Sequence, residues 1–263
     1  MRLEEVPTRV ISADGLRILD YLLSIGVTPL AASTGVGDTF AIALLDRTEQ
    51  VEKIGSSGDL NIERMASLHP DFIVGFEWNY GDGLDELKQI APCFVLDGES
   101  SPEWEANTRL IARCFAREEE ADAAIQAVYE RVASIGERIE EPVTISVIYP
   151  KADGSFFAMQ PDYIIAELLA PAGITVTLPN GLDGEGGSLA DVSPELLGDM
   201  PGEYLFVLPL PDAKNVIENN PLWETLDAVA AGRVLKGDAS TWGNFSPIGL
   251  QALLDDVERA LLS

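Results

Sequence analysis

The chain has 263 residues, of which 44 are Asp or Glu and 17 are Lys or Arg, giving a formal net charge of -27 and a pI near 4.1. A polyanion of that strength does not bind nucleic acid through its overall field and is repelled by anionic lipid. An apolar fraction of 46% with 23 Gly and 16 Pro is ordinary globular composition, which argues against disorder, and the length predicts one or two domains.

No apolar run approaches the roughly 18–20 residues that span a bilayer. Met1-Arg2-Leu3-Glu4-Glu5 lacks a basic stretch followed by an apolar one, so no signal peptide is expected in this chain. Cys93, Cys114 and the lone His69 are too few for a disulfide framework or a zinc site. The cysteines read as small buried hydrophobes, with a single disulfide between them left open. His69, between Leu68 and Pro70 at a helix end, reads as structural.

In chain order, Arg9 to Ser12 reads as a strand, and Leu16, Leu19, Leu22 and Leu23 recur with the 3.6 period of a helix over Gly15 to Ile25. Gly26 ends that helix and Pro29 to Ala32 reads as a second strand. A helix is expected over Asn61 to Leu68, with Asn61 as N-cap and Glu63 in the first turn. A buried strand over Phe72 to Gly75, a helix over Gly83 to Ile90 and a strand over Cys93 to Leu96 follow. This alternation predicts a parallel sheet flanked by helices.

Between Pro102 and Ile139 there is no Gly or further Pro until Gly136, and helix formers dominate. The segment reads as one helix of about 30 residues, roughly 45 Å long, acting as a stiff strut. After Pro142 the alternation restarts. Strands are expected at Val143 to Tyr149, Phe156 to Met159, Leu205 to Leu208 and Val234-Leu235, and helices at Tyr163 to Leu169, Trp223 to Ala231 and Pro247 to Leu262. The predicted architecture is α/β, two Rossmann-like lobes with a cleft between them, joined by one long helix. Its parts are an N-terminal lobe over 1–101, the helix over 102–140 and a C-terminal lobe over 141–263.

Assembled catalytic motifs are missing: there is no G-x-S-x-G elbow, no G-x-x-x-x-G-K-[ST] loop and no H-E-x-x-H. The glycine-rich run Gly181 to Gly187 carries Asp183 and Glu185, and Gly35-Val36-Gly37 is followed by Asp38. Carboxylates inside such loops oppose phosphate binding. The reading is a binding protein, not an enzyme, needing no cofactor and no metal ligands of its own.

Asn61-Ile62-Glu63-Arg64 followed by Leu68-His69-Pro70-Asp71-Phe72-Ile73-Val74 resembles a sequence block of the class III periplasmic substrate-binding proteins, which serve ABC importers of ferric siderophores, haem and vitamin B12. The resemblance continues through Ile90-Ala91-Pro92, Pro102-Glu103-Trp104, Val192-Ser193-Pro194-Glu195 and Ala228 to Val234, and it ends at Trp242 and the last helix. Trp78-Asn79-Tyr80-Gly81 is similar to the ferric-hydroxamate branch, where the resemblance implies that Tyr80 contacts the iron-bound hydroxamate. It likewise implies cleft positions for Trp78, Trp242, Asn244 and Phe245. An arginine common in hydroxamate binders ahead of the Asn61 block is replaced by Ser56-Ser57-Gly58-Asp59.

The resemblance implies a ferric siderophore ligand in the cleft and an ABC permease partner, with Glu63 and Glu195 docking one on each permease subunit. It also implies a monomer that is periplasmic or a cell-surface lipoprotein, its signal or lipobox lying outside this chain. Haem or cobalamin is the runner-up ligand, and a cofactorless two-lobe enzyme the reading from another class. A trishydroxamate is bulky and largely neutral, suiting aromatic walls, whereas a catecholate needs several cations. Few basic residues lie near the predicted loop ends, chiefly Arg47, Lys53, Lys151 and Lys236.

Overall fold

A computed structural model describes residues 5–35, 38–98, 103–179, 182 and 189–262. Strands β1 (Val10–Ser12), β2 (Ala31–Thr34), β3 (Glu52–Ser56), β4 (Asp59–Leu60), β5 (Phe72–Phe76) and β6 (Cys93–Leu96) form one sheet in the order β4-β3-β2-β1-β5-β6. All its pairings are parallel except the β3–β4 hairpin. A second sheet contains β7 (Val143–Pro150), β8 (Phe156–Met159), β9 (Ile174–Val176), β10 (Leu189–Val192), β11 (Tyr204–Val207) and β12 (Val234–Lys236). Its order is β10-β8-β7-β11-β12, with β9 also paired to β7.

The helices are α1 (Arg17–Ser24), α2 (Ile62–Ser67), α3 (Glu77–Tyr80), α4 (Leu84–Ile90), α5 (Trp104–Phe115), α6 (Glu118–Gly136), α7 (Ile164–Leu169), α8 (Asp227–Ala230), α9 (Ala239–Trp242) and α10 (Pro247–Leu261). The chain divides into two compact α/β units, Met1–Val128 with Gly243–Ala252, and Tyr129–Trp242 with Leu253–Ser263.

β1 and β5 are buried throughout because their apolar residues are continuous rather than alternating, as a central parallel strand requires. The turn from β1 into α1 presses on β2: a Cβ at Gly15 would stand 1.8 Å from the carbonyl oxygen of Ser33, so only glycine fits. Asn61 caps α2 as expected, accepting the Arg64 amide at 2.9 Å. His69 follows with φ +47°, and its carbonyl accepts Arg9 Nε at 2.9 Å, a structural use.

The single long helix is not found. α5 ends at Phe115, Ala116 takes the left-handed conformation, and α6 begins at Glu118. Packing overrides helix propensity here. Phe115 is buried edge-on against Phe72, with ring centroids 5.8 Å apart. Across the break Arg109 pairs with Asp122 at 2.9 Å as well as with Glu105. The stiff-strut expectation therefore falls with the continuous helix. Asn79 and Tyr80 end the one-turn helix α3, followed by Gly81 at φ +50°. Cys93 and Cys114 are free thiols. The run 181–187, Leu182 excepted, and residues 36–37 of the other glycine-rich loop lie outside the described residues.

Left-handed backbone costs a residue with a Cβ about 1 kcal/mol. Ala116→Gly should therefore leave stability unchanged or raise it by up to about 1 kcal/mol, whereas glycine at exposed Ala133 inside α6 should lower it by a similar amount. Urea denaturation of the two variants measures the contrast, and equal losses would show that the break carries no strain.

Candidate functional site

In the first sheet, strand order reverses at β1: β2 and β3 extend to one side, β5 and β6 to the other. Such a switch point opens a crevice at the carboxyl ends of the strands, where open α/β sheets bind ligands. The segments leaving β1, β3 and β5 there are cross-linked by polar side chains. Asp14 Oδ1 accepts the amides of Leu16, Arg17 and Ile18 at 2.7–3.1 Å, capping α1. Its Oδ2 accepts Asn79 Nδ2 at 3.2 Å, and the same amide donates to Ser57 Oγ at 2.7 Å. Asn79 Oδ1 in turn accepts the Phe76 amide at 2.7 Å.

This network presents Trp78 to solvent. Its ring stacks on Phe76, centroids 4.6 Å apart and planes 16° from parallel, while 45% of the residue stays exposed. A Cβ at Gly98 would lie 2.7 Å from the Trp78 ring, so the glycine makes room for it. Tyr80 is placed otherwise. It is 5% exposed, packs with Ile11, Ile73 and Leu87, and donates its hydroxyl to the Phe94 carbonyl at 3.2 Å. Burial pushes its phenol well above the ordinary range.

Asn244 and Phe245 serve a second buried knot in this unit. Asp20 on α1, 0% exposed, accepts Asn244 Nδ2 at 2.9 Å and the Ile248 and Gly249 amides at 3.0 and 2.7 Å. The carboxylate thus holds the amino end of α10, where the helix dipole favours an anion. Phe245 lies beneath the Arg17 guanidinium at 4.6 Å, and its carbonyl accepts Tyr21 Oη at 3.1 Å. Desolvation pushes the Asp20 carboxyl up to about 6, against the pull of its amide donors.

In the second unit Trp242 is fully buried, packs on Phe206 with centroids 5.0 Å apart, and donates Nε1 to Asp256 at 2.9 Å. The amines near the carboxyl ends of the strands are engaged. Lys151 pairs with Asp191 at 2.7 Å and lies 4.2 Å from the Phe157 centroid, and Lys236 pairs with Glu218 at 2.7 Å. In the first unit Lys53 donates to the Asp38 carbonyl, and Arg47 closes an exposed 3₁₀ turn.

Of the five residues expected to contact ligand, only Trp78 offers an open ring; Tyr80, Trp242, Asn244 and Phe245 are buried and bonded within their own units. Glu63 is exposed in the first turn of α2. Glu195 is exposed in the first turn of a 3₁₀ helix (Pro194–Asp199), accepting the Ser193 hydroxyl. Asp14, Asp20 and Ser57 were not anticipated. Asp-Gly directly after a strand was the available signal for the first; nothing local marks the other two.

A two-unit α/β chain with polar ties at a sheet switch point has the architecture of a ligand-binding protein. The profile of the periplasmic binding protein family matches residues 15–241, and the chain belongs to that family. It is 24% identical over 273 residues to the iron(3+)-hydroxamate-binding protein FhuD of Bacillus subtilis, covering 99% of this chain and 83% of that one. It is 22% identical over 248 residues to the Fe(3+)-citrate-binding protein YfmC of the same organism, covering 92% and 76%. Among solved structures, the iron uptake ABC transporter substrate-binding protein PiuA of Streptococcus pneumoniae superposes with a TM-score of 0.78 at 19% identity, over 99% and 95% of the two chains.

The raised Asp20 carboxyl has a thermodynamic consequence. Between its ordinary 3.8 and about 6 the folded state holds the proton more tightly than the unfolded chain. The Asp20 contribution to stability is therefore largest below pH 4 and declines as pH rises through 6, by about 3 kcal/mol at most. Unfolding free energies of the natural protein and of Asp20→Asn, compared from pH 4 to 7, should show their difference shrinking with that sign. A difference independent of pH would refute it.

Proposed function

We propose that this protein is the siderophore-binding component of an ABC importer, acting outside the cytoplasm as a monomer and handing a ferric complex to a membrane permease. It binds and releases and performs no chemistry on its cargo. The observation that carries this reading is the family match across 15–241, joined to relatives that bear iron(3+)-hydroxamate and Fe(3+)-citrate in their names.

A ferric complex of low net charge, of the hydroxamate type, is favoured over a polyanionic one. Lys151 and Lys236 are neutralised by carboxylates, and the chain carries a net charge of -27. A polyanion would meet repulsion without a compensating guanidinium fork. Trp78, open on a rigid stack, supplies an aromatic surface suited to the apolar spacers of such a ligand.

Intrinsic fluorescence titration, with native mass spectrometry for stoichiometry, tests the assignment against ferrichrome, ferric citrate, haem and cobalamin. Ferrichrome should bind one to one to a monomer. Trp78→Ala should weaken it by about 1–3 kcal/mol, roughly 5- to 150-fold. Tight binding of haem or cobalamin with none of ferrichrome would move the ligand class, and no binding of any of the four would remove the function.

Glu63 and Glu195 are assigned to the permease. Each is exposed and in no ion pair among the described residues, and two contacts with arginines would orient the protein on paired subunits. Exposed ion pairs are individually weak. In a reconstituted importer, Glu63→Ala or Glu195→Ala alone should lower transport partly and the double variant more than additively, with ligand affinity unmoved. Normal transport by the double variant would refute the docking role.

A further inference from the structure

The charge of this chain exceeds anything the binding function uses. We infer that its surface is built to carry a dense, diffuse atmosphere of hydrated monovalent cations, and that the folded state depends on that atmosphere, so that the protein works in salt of molar strength. The partner is sodium or potassium in bulk, held by no single site.

Three observations lead there. First, 17 basic groups stand against 44 acidic ones, and more than half of the basic groups are already held in ion pairs. Arg64, Lys88, Arg109, Arg117, Arg131, Arg138, Lys151, Lys236 and Arg259 all sit in ion pairs. Arg9 is bound to the Leu68 and His69 carbonyls. Protein cations cannot neutralise the remaining carboxylates, so solvent cations must.

Second, the excess is local as well as global. Glu140 and Glu141 are adjacent and exposed, with Glu137 one turn before them. Asp82, Asp85 and Glu86 crowd the start of α4, where Lys88 is the one basic residue of the helix. Glu49 and Glu224 are likewise exposed. Glu49, Glu86, Glu137, Glu140, Glu141 and Glu224 make no ion pair among the described residues.

Third, the basic residues are unusual in kind, five lysines against twelve arginines, although lysine is ordinarily among the commoner residues. A lysine brings a long apolar stem to the surface, and excluded salts strengthen the tendency of such surface to withdraw from solvent. A carboxylate keeps its water and its counterion. Enriching carboxylate and depleting lysine suits concentrated salt and is costly without it, because self-repulsion destabilises a compact polyanion. The Debye length falls from about 10 Å at 0.1 M to about 3 Å at 1 M, so repulsion among exposed carboxylates is strongly screened in concentrated salt.

Thermal unfolding of the whole chain, followed by circular dichroism from 0.05 to 2 M NaCl and KCl, tests this without any ligand, so its outcome is separate from that of the siderophore assignment. The midpoint should rise by more than ~10 °C, several kcal/mol for a chain of this length. A variant with those six glutamates changed to glutamine should melt higher at 0.05 M and gain markedly less from salt. A rise below ~3 °C overturns the inference. So does an equal gain in the variant, which would assign the effect to general salting-out, and so does an equal gain from sucrose at matched osmolality.

Discussion

The carboxylate of Asp14 is the constraint on which the first unit is organised. One oxygen closes three amides at the start of α1, and the other receives the side-chain amide of Asn79. Hydrogen bonds to a charged group are worth about 1.5–3 kcal/mol each, and a buried donor left without its acceptor costs a similar amount. The arrangement is therefore all or none. Asn79 reaches Ser57 as well, so the exits of β1, β3 and β5 share one polar knot at the edge where the sheet switches direction. Trp78 owes its direction to that knot, since its neighbour in sequence is fixed on both amide atoms.

Helix α1 carries the rest of the unit's polar scaffolding. On the helix that Asp14 caps, Arg17 lies over Phe245, Asp20 holds the amino end of α10, and Tyr21 donates to the Phe245 carbonyl. A segment more than two hundred residues away is thereby anchored to the first helix of the protein. This accounts for the burial of Asn244 and Phe245: Asn244 bonds with Asp20 and Ser246 and is buried. The placement of Asp20 is a compromise, because desolvation works against its charge while two helix amides and an amide side chain work for it.

The strands legible in sequence were those whose apolar runs are continuous. β5, β6, β7 and β8 fall within a residue of where the pattern puts them: Phe-Ile-Val-Gly suits a buried parallel strand, Val-Thr-Ile-Ser-Val-Ile-Tyr is rich in β-branched residues, and Phe-Phe-Ala-Met is apolar although β8 pairs antiparallel. β3 and β10 were missed since their side chains are mostly polar or half-exposed, and strand pairing comes from backbone bonds that composition does not encode. The break at Ala116 was invisible because no Gly or Pro announces it. It is set by where Phe115 meets Phe72, a contact 43 residues distant in the chain. The site was legible only in part. An aromatic in a turn-like context reads the same whether it faces out, like Trp78, or in, like Tyr80, and only the tertiary partner decides.

Charge links these levels. A chain this acidic has few cations to distribute, and the structure holds more than half of them in ion pairs, among them Arg131 and Arg138 on Glu258, Lys151 on Asp191 and Lys236 on Glu218. Each pair is partly exposed and of modest worth to stability, but those of Lys151 and Lys236 neutralise positive charge at the ends of β7 and β12. For the ligand class proposed, that disposition discriminates by exclusion. A neutral ferric complex loses nothing by approaching a negative surface, whereas an anionic one meets the full field with no guanidinium to offset it. Screening would relax that exclusion in concentrated salt. Under the proposed function, selectivity among ferric ligands would be set jointly by the aromatic surface that attracts and by the ionic strength at which the carboxylates repel.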